Sequence, residues 1–421
     1  MPPTSATPSS AIAPSLATFP PAFVANGPLA AIAAQYGTPV YVYDAATIER
    51  QYKHLANAFA GLRCQLHYAA KANTNPHILR LLRAQGAGLD VVSIDEAHIG
   101  LHSGFQPSEI LFTPNGVAFA EIEQAVALGI GINIDNISVL EQFGARYGGT
   151  VPVCLRLNPH ISAGGHHKIQ TGHIDSKFGI SILQLRHLGK VVRSHGLHIH
   201  GLHVHTGSEF LDADVFLKGA ELVFDAAMDF PDLKFLDFGS GFKVAYQAAD
   251  HVTNVEELGQ KLGEACTEFF SNYGRELEIW FEPGKYLVSE AGVLLATANT
   301  VKTTPASVFI GLDTGLNHLI RPMLYDAHHH IANVSRPGGT QRIYNVVGYI
   351  CETDTFAYDR LIADVQEGDL LAICNAGAYG YSMASNYNSR PRPPEVLLHP
   401  DGTHQLIRRR ETLDDLLGAV V

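Results

Sequence analysis

The chain has 421 residues, 46% of them hydrophobic and 17% charged, with a formal net charge of −12. That length supports two or three domains with sizeable cores, and the acidic balance argues against a nucleic-acid groove or an anionic membrane surface. No stretch approaches the ~18–20 apolar residues of a membrane span, and five scattered cysteines without a CxxC pair point to a reducing, cytoplasmic setting rather than a disulfide framework or a zinc site.

Residues 1–22 are rich in Pro, Ser, Ala and Thr and read as a disordered tail. There is no Lys or Arg before Arg50, which fits neither a signal peptide nor a transit peptide. Residues 23–44 contain the strand-like TPVYVYD, which is expected to join a later β domain. From residue 65, short apolar runs alternate with helical periodicity. The candidate strands are QLHYAA (65–70), GLDVVS (88–93), ILFTP (110–114), GINID (131–135), VPVCLRLN (151–158), GLHIHGLHVH (196–205), KFLDFG (234–239) and LEIWFE (277–282). Between them lie helix-like segments such as HILRLLRAQG, FAEIEQAVALG, SILQLRHLGKVV and VEELGQKLGEACTEFF, with Gly86, Gly129 and Gly196 as helix stops. Eight strands alternating with helices predict a (β/α)8 TIM barrel over residues 45–287. A doubly wound sheet shares the alternation, but no GxGxxG opens a first βαβ unit. Residues 288–421 turn to short β-like runs and predict a C-terminal, mainly-β domain.

Unusual residues sit at the expected carboxyl ends of these strands. Lys71 ends the first, in HYAAKAN, and Asp90 lies in the second. His205, followed by TGSE, ends the sixth; GSG at 239–241 follows the seventh; Glu282, Pro283, Gly284 and Lys285 end the eighth. In a barrel those ends share one face, where active sites and phosphate sites form. A lysine at the end of a buried strand is expected to have its pKa lowered by desolvation, making a usable amine nucleophile; the alternative is a lysine with its head in water. An amine, Gly-rich backbone donors, a flat His and a carboxylate are the parts that pyridoxal phosphate needs. The histidine runs at 166–167 and 328–330 lack metal-ligand spacing and are expected to be solvated loops, and no metal is expected.

With these residues assembled, the chain from about residue 25 onward resembles the diaminopimelate decarboxylases, pyridoxal-phosphate enzymes of the alanine-racemase-like fold. The matching stretches are YAAKAN, GLDVVSIDE, DSKFGI, GLHVHTGSE, DFGSGF, EPGKYLV, LIRPMLYDAHH, VVGYICETD and NAGAYGYSMASNYNSRPRP. The resemblance implies decarboxylation of meso-2,6-diaminopimelate to L-lysine and CO2, the last step of lysine biosynthesis. It implies that Lys71 is the Schiff-base lysine and His205 stacks on the cofactor ring. Ser208, Gly241 and the backbone of Glu282 to Lys285 would hold the phosphate, and Glu282 would face the ring nitrogen. Arg321, Tyr325, Tyr379 and Glu352 would bind substrate, Tyr379 also touching the cofactor. Cys351, as an acid, would come from the partner subunit of a homodimer with shared active sites. One departure stands out: Lys285 occupies the place of the family's usual arginine, keeping a charge but losing the planar fork that grips a carboxylate.

Overall fold

A computed structural model describes residues 19–161, 175–205, 207 and 210–421. Of the expected tail, residues 1–18 lie outside this set, and a short helix begins at Ala22. The strands are β1 (Val40–Asp44), β2 (Cys64–Ala69), β3 (Gly88–Val91), β4 (Ile110–Phe112), β5 (Gly131–Ile134), β6 (Val153–Asn158), β7 (Ile180–Ser181), β8 (Ile199–Val204), β9 (Phe235–Asp237) and β10 (Glu278–Phe281). They continue with β11 (Gly292–Thr303), β12 (Val308–Leu312), β13 (Ile331–Asn333), β14 (Gln341–Val347), β15 (Thr355–Ala363), β16 (Leu370–Ile373), β17 (Glu395–Leu398) and β18 (His404–Arg408).

All eight expected barrel strands form. They pair in parallel in the order β5-β4-β3-β2-β10-β9-β8-β6, and β5 pairs with β6 to close the ring, which rules out the open doubly wound sheet. The short β7 adds to the edge of β6. Strand alternation divides the side chains cleanly. One set (Leu66, Tyr68, Leu89, Val91, Ile132, Ile134, Leu155, Leu202, Leu236, Ile279 and Phe281) is apolar and buried. Each such side chain contributes roughly 1.5–3 kcal/mol by leaving water. The opposite set is largely polar and equally buried: His67, Asp90, Asn133, Arg156, His203, Asp237 and Glu282. A barrel interior is usually filled by branched aliphatics, so a polar interior marks a site. Below the polar groups, Trp280 stacks on Phe235 at 3.6 Å and lies 4.3 Å from the His67 ring, plugging the barrel. Gly201 has no side chain because a Cβ there would collide with the Phe235 ring.

Gly129 and Gly196 end their helices in the left-handed conformation, as expected; Gly86 lies one residue past its helix cap with φ +101°. The second sheet has the path β15-β14-β12-β11-β1-β17-β18, with β16 joining β11 to β13. Early strand β1 sits inside it, antiparallel to β11 and parallel to β17. A buried polar cluster ties this sheet to the barrel. Glu395 accepts from Tyr43 Oη at 2.6 Å and from Asn75 Nδ2 at 2.9 Å, and is ion-paired with Arg408. Removing one member would strand a buried charge, so the cluster holds the two units in register at the segment that follows Lys71. Among the described residues, no helix is long and apolar enough to cross a membrane.

Candidate active site

Strand β2 stops at Ala69 and the chain tightens into a 3-10 turn, Ala70–Ala72, that carries Lys71. The β domain holds that turn. Tyr379 N and Ser382 Oγ both donate to the Ala72 carbonyl, at 2.8 and 3.2 Å, and Asn73 Nδ2 reaches the Gly377 carbonyl at 3.4 Å. Tyr379 itself has φ +55°, a strained conformation for a tyrosine, retained where it meets the lysine turn. The Lys71 side chain is 44% exposed and lines the cavity, and its Nζ donates to the buried Asp90 carboxylate at 3.2 Å. Burial alone would lower its pKa. Asp90, with help from Tyr379 and Glu282, outweighs burial and raises it, so the expectation of a depressed lysine pKa is corrected: the charged partner wins over desolvation.

The polar interior faces this amine. Burial disfavours the Glu282 carboxylate's charge, but His203, whose Nε2 lies 3.1 Å from Oε2, together with Lys71, holds its pKa below the usual range. Asp237 moves the other way, pushed well up by burial and by Glu282. His205 is held at about 3 by burial, then by Arg156 and Lys71, so its ring is neutral. Ser240 N donates to His205 Nδ1 at 3.3 Å, which places the ring proton on Nε2. Glu282 Oε1, Asp90 Oδ1 and Thr113 Oγ1 are buried without a hydrogen-bond partner. Such orphans are rare in finished interiors and fit groups reserved for a ligand.

Glycines shape one wall. Gly239 and Gly241 have φ +60° and +135°, and a Cβ on Gly241 would strike the Gly207 carbonyl. A Cβ on Gly284 would crowd Ala69 and Ala72 at 3.2 Å. The Pro283 carbonyl accepts from Ala69 N at 3.2 Å, locking the end of β10 to that of β2. Ser208 lies outside the described residues. The whole encloses a cavity of about 570 Å³, lined by Lys71, Gly241, Glu282, Gly284, Lys285, Tyr325 and Tyr379 among others. Its amine, its anionic carboxylate with one free oxygen, its flat neutral imidazole and its bare backbone fit pyridoxal phosphate part for part.

Sequence reasoning missed Arg156 and Lys177, which line the cavity and flank the Phe178 ring at 4.8 and 4.9 Å. It also missed His203 and Asp237. Three of the four stand at inward positions of strands already recognised, so period-two parity applied to Arg156, His203 and Asp237 would have found them. Arg321, first residue of the helix Arg321–Tyr325, is buried against the Tyr325 and Tyr379 rings at 5.9 and 5.8 Å. Lys285 opens the helix Lys285–Val288 and lines the cavity, whereas Arg321 is not among the lining residues and packs on Tyr325 and Tyr379, which are. Cys351 and Glu352 are not brought there. Both are exposed on the β14–β15 connection, where Asn388 Nδ2 donates to Cys351 Sγ at 3.5 Å and Tyr387 Oη donates to Glu352 at 2.9 Å. The histidine run at 328–330 is not the solvated loop expected: His329 is fully buried and its neighbours half-buried, because the chain there enters β13, which pairs with β16 in the second sheet. The run at 166–167 lies outside the described residues. Among those residues, the one grouping close enough to hold a metal is His203, Asp237 and Glu282, whose carboxylate already pairs with His203.

The comparisons with known proteins follow the same line. Residues 45–289 match the family "Pyridoxal-dependent decarboxylase, pyridoxal binding domain". The chain is 38% identical to the diaminopimelate decarboxylase of Methanothermobacter thermautotrophicus, over 92% of each chain, and 37% identical to that of Bacillus subtilis, again over 92% of each. Its fold superposes on the Helicobacter pylori diaminopimelate decarboxylase in complex with L-lysine with a TM-score of 0.85 at 32% identity, covering 93% of this chain and 98% of that one. A lysine/ornithine decarboxylase from Vibrio vulnificus shares the fold at TM-score 0.76 and 23% identity. Sequence, architecture and cavity chemistry therefore converge: the chain belongs to the diaminopimelate decarboxylase family of pyridoxal-dependent decarboxylases.

Proposed function

We propose that this protein removes CO2 from the D-centre of meso-2,6-diaminopimelate, leaving L-lysine, as the closing step of lysine biosynthesis. The observation that carries the reading is one cavity lined by the Lys71 amine, the half-satisfied Glu282 carboxylate, Lys285, Tyr325 and Tyr379, the two tyrosines packing on the buried Arg321. Bound pyridoxal phosphate supplies the sink for the electron pair released when the carbon–carboxylate bond breaks. Lys71 would hold it, Glu282 would accept from the ring nitrogen, and His205 would lie against the ring. Glu282, kept anionic by His203, favours a protonated ring nitrogen and so a deeper sink. Backbone donors around Gly241 and Gly284 would take the phosphate, Ser208 with them. Lys285, Arg321, Tyr325 and Tyr379 would orient the distal carboxylate and amine. The test is formation of equal amounts of L-lysine and CO2 from meso-diaminopimelate; release of CO2 without lysine would sink the assignment.

The exposed position of Cys351 and Glu352 supports a homodimer in which they complete the partner's cavity, Cys351 returning a proton to the reacting carbon and Glu352 receiving the distal amine. Inactive Lys71→Ala and Cys351→Ala chains, mixed under conditions of verified subunit exchange, should then recover part of the activity. Exchange without recovery would place each site within one chain. Scattered free cysteines support a cytoplasmic setting.

Lys285 is the position to probe within the chain. Lys285→Ala should raise KM by the loss of one charge-assisted hydrogen bond, about 1.5–3 kcal/mol, while Lys285→Arg should be tolerated or lower KM. Unchanged kinetics in the alanine variant would remove Lys285 from the substrate contacts.

A further inference from the structure

We infer that Tyr246 and His329, which no catalytic reading so far includes, are positioning residues that aim the Arg321 guanidinium at the substrate's non-reacting carboxylate. The inference rests on the diaminopimelate reading and adds a second layer to it. Arg321 is only 6% exposed, and among the described residues no carboxylate lies within ion-pair distance of it. A buried guanidinium without a counter-ion is costly, so its surroundings must both compensate it and keep it for an incoming anion. Three tyrosine rings do the first: Tyr246, Tyr325 and Tyr379 lie 5.8 to 5.9 Å from its central carbon, within range of the attraction between a cation and a π face. One of them also accepts a hydrogen bond from it. Arg321 Nη2 donates to Tyr246 Oη at 3.2 Å, whereas Arg321 Nε is a buried donor with no partner. The fork is thus pinned at one prong while its buried Nε–H is left unsatisfied, next to Tyr325 and Tyr379, which line the cavity.

Tyr246 is itself fixed. Its backbone N–H donates to Asp250 Oδ2 at 2.9 Å, and its ring stands edge-on to His329, with centroids 5.7 Å apart and planes at 87°. His329 is completely buried, and its Nδ1 donates to the Cys374 carbonyl at 2.8 Å, just beyond the end of β16. Burial and then Arg321 hold His329 at about 3, so it backs the tyrosine as a neutral ring and adds no competing charge. Tyr246 follows the glycine loop beyond β9, while His329 and Arg321 come from the β domain. The distal subsite is therefore assembled only when the two units are docked.

The chemistry offers a clean probe. Decarboxylation at one centre leaves the other intact, so the product L-lysine keeps the carboxylate that Arg321 would hold, whereas cadaverine lacks it. Tyr246→Phe keeps the ring and removes only the pinning hydroxyl. It should raise KM for meso-diaminopimelate and Ki for L-lysine together, about tenfold, as expected for a hydrogen bond to a charged group. Its kcat, its bound-cofactor absorbance and its Ki for cadaverine should stay at wild-type values. His329→Asn, which retains a donor for the Cys374 carbonyl but loses the ring face, should shift the same two constants in the same direction. If Tyr246→Phe leaves both constants unchanged, or weakens cadaverine as much as lysine, the positioning role is wrong even though the wild type turns over meso-diaminopimelate. A wild type that does not turn over that substrate would overturn the underlying reading and this inference with it.

Discussion

Lys71→Ala is expected to lower turnover by about 10³-fold or more and to abolish the visible absorbance of the protein-bound cofactor. The reason is positional. Lys71 is the amine at the mouth of the cavity, on a turn pinned through Ala72 to Tyr379 and Ser382, so no neighbouring lysine can take over its geometry. Lys177 and Lys285 line the same space but extend from other walls. Because Asp90 raises the Lys71 pKa, the amine of the cofactor-free chain is an ammonium at neutral pH. It must shed a proton before it can attack an aldehyde, so cofactor loading should quicken as pH rises toward that raised pKa. Borohydride reduction of the loaded protein followed by peptide mapping should place the label on the Lys71 peptide; label on Lys177 or Lys285 would overturn the assignment.

The second large effect concerns the distal carboxylate. D-Lysine presents the same reacting end as meso-diaminopimelate but has no carboxylate at the other. It would leave the buried Arg321 without that carboxylate. Sites built around buried polar groups reject a ligand lacking the matching group strongly, on the order of 10⁴-fold. Catalytic efficiency on the two substrates should therefore differ by about that factor in the wild type, and the gap should narrow sharply in Arg321→Ala. Comparable wild-type efficiencies would favour a broad D-amino-acid decarboxylase instead.

Much of the architecture could be read from the chain alone. Every barrel strand was visible as a short run rich in β-branched, aliphatic or aromatic residues between helical segments, because a parallel strand must bury an apolar face under a helix, as Leu66, Leu89 and Ile279 do. The residues proposed to hold the cofactor were visible for a related reason. Lys71, Asp90, His205 and Glu282 are charged or polar side chains at the ends of otherwise apolar strands, and packing gives no cause to put them there. Tertiary structure decided what depends on distant partners. Closure of the ring rests on β5 meeting β6, a pairing that no local pattern encodes. The Lys71 pKa moves up rather than down because Asp90, nineteen residues away, lies 3.2 Å from its nitrogen. His329 reads as one of three loop histidines, yet it is buried behind Tyr246 and Arg321, which reach it from elsewhere in the chain. Local sequence thus determines which side chains face inward and what chemistry they can offer. The long-range packing of barrel against β domain decides which of them meet, and through burial and nearby charge, in which protonation state.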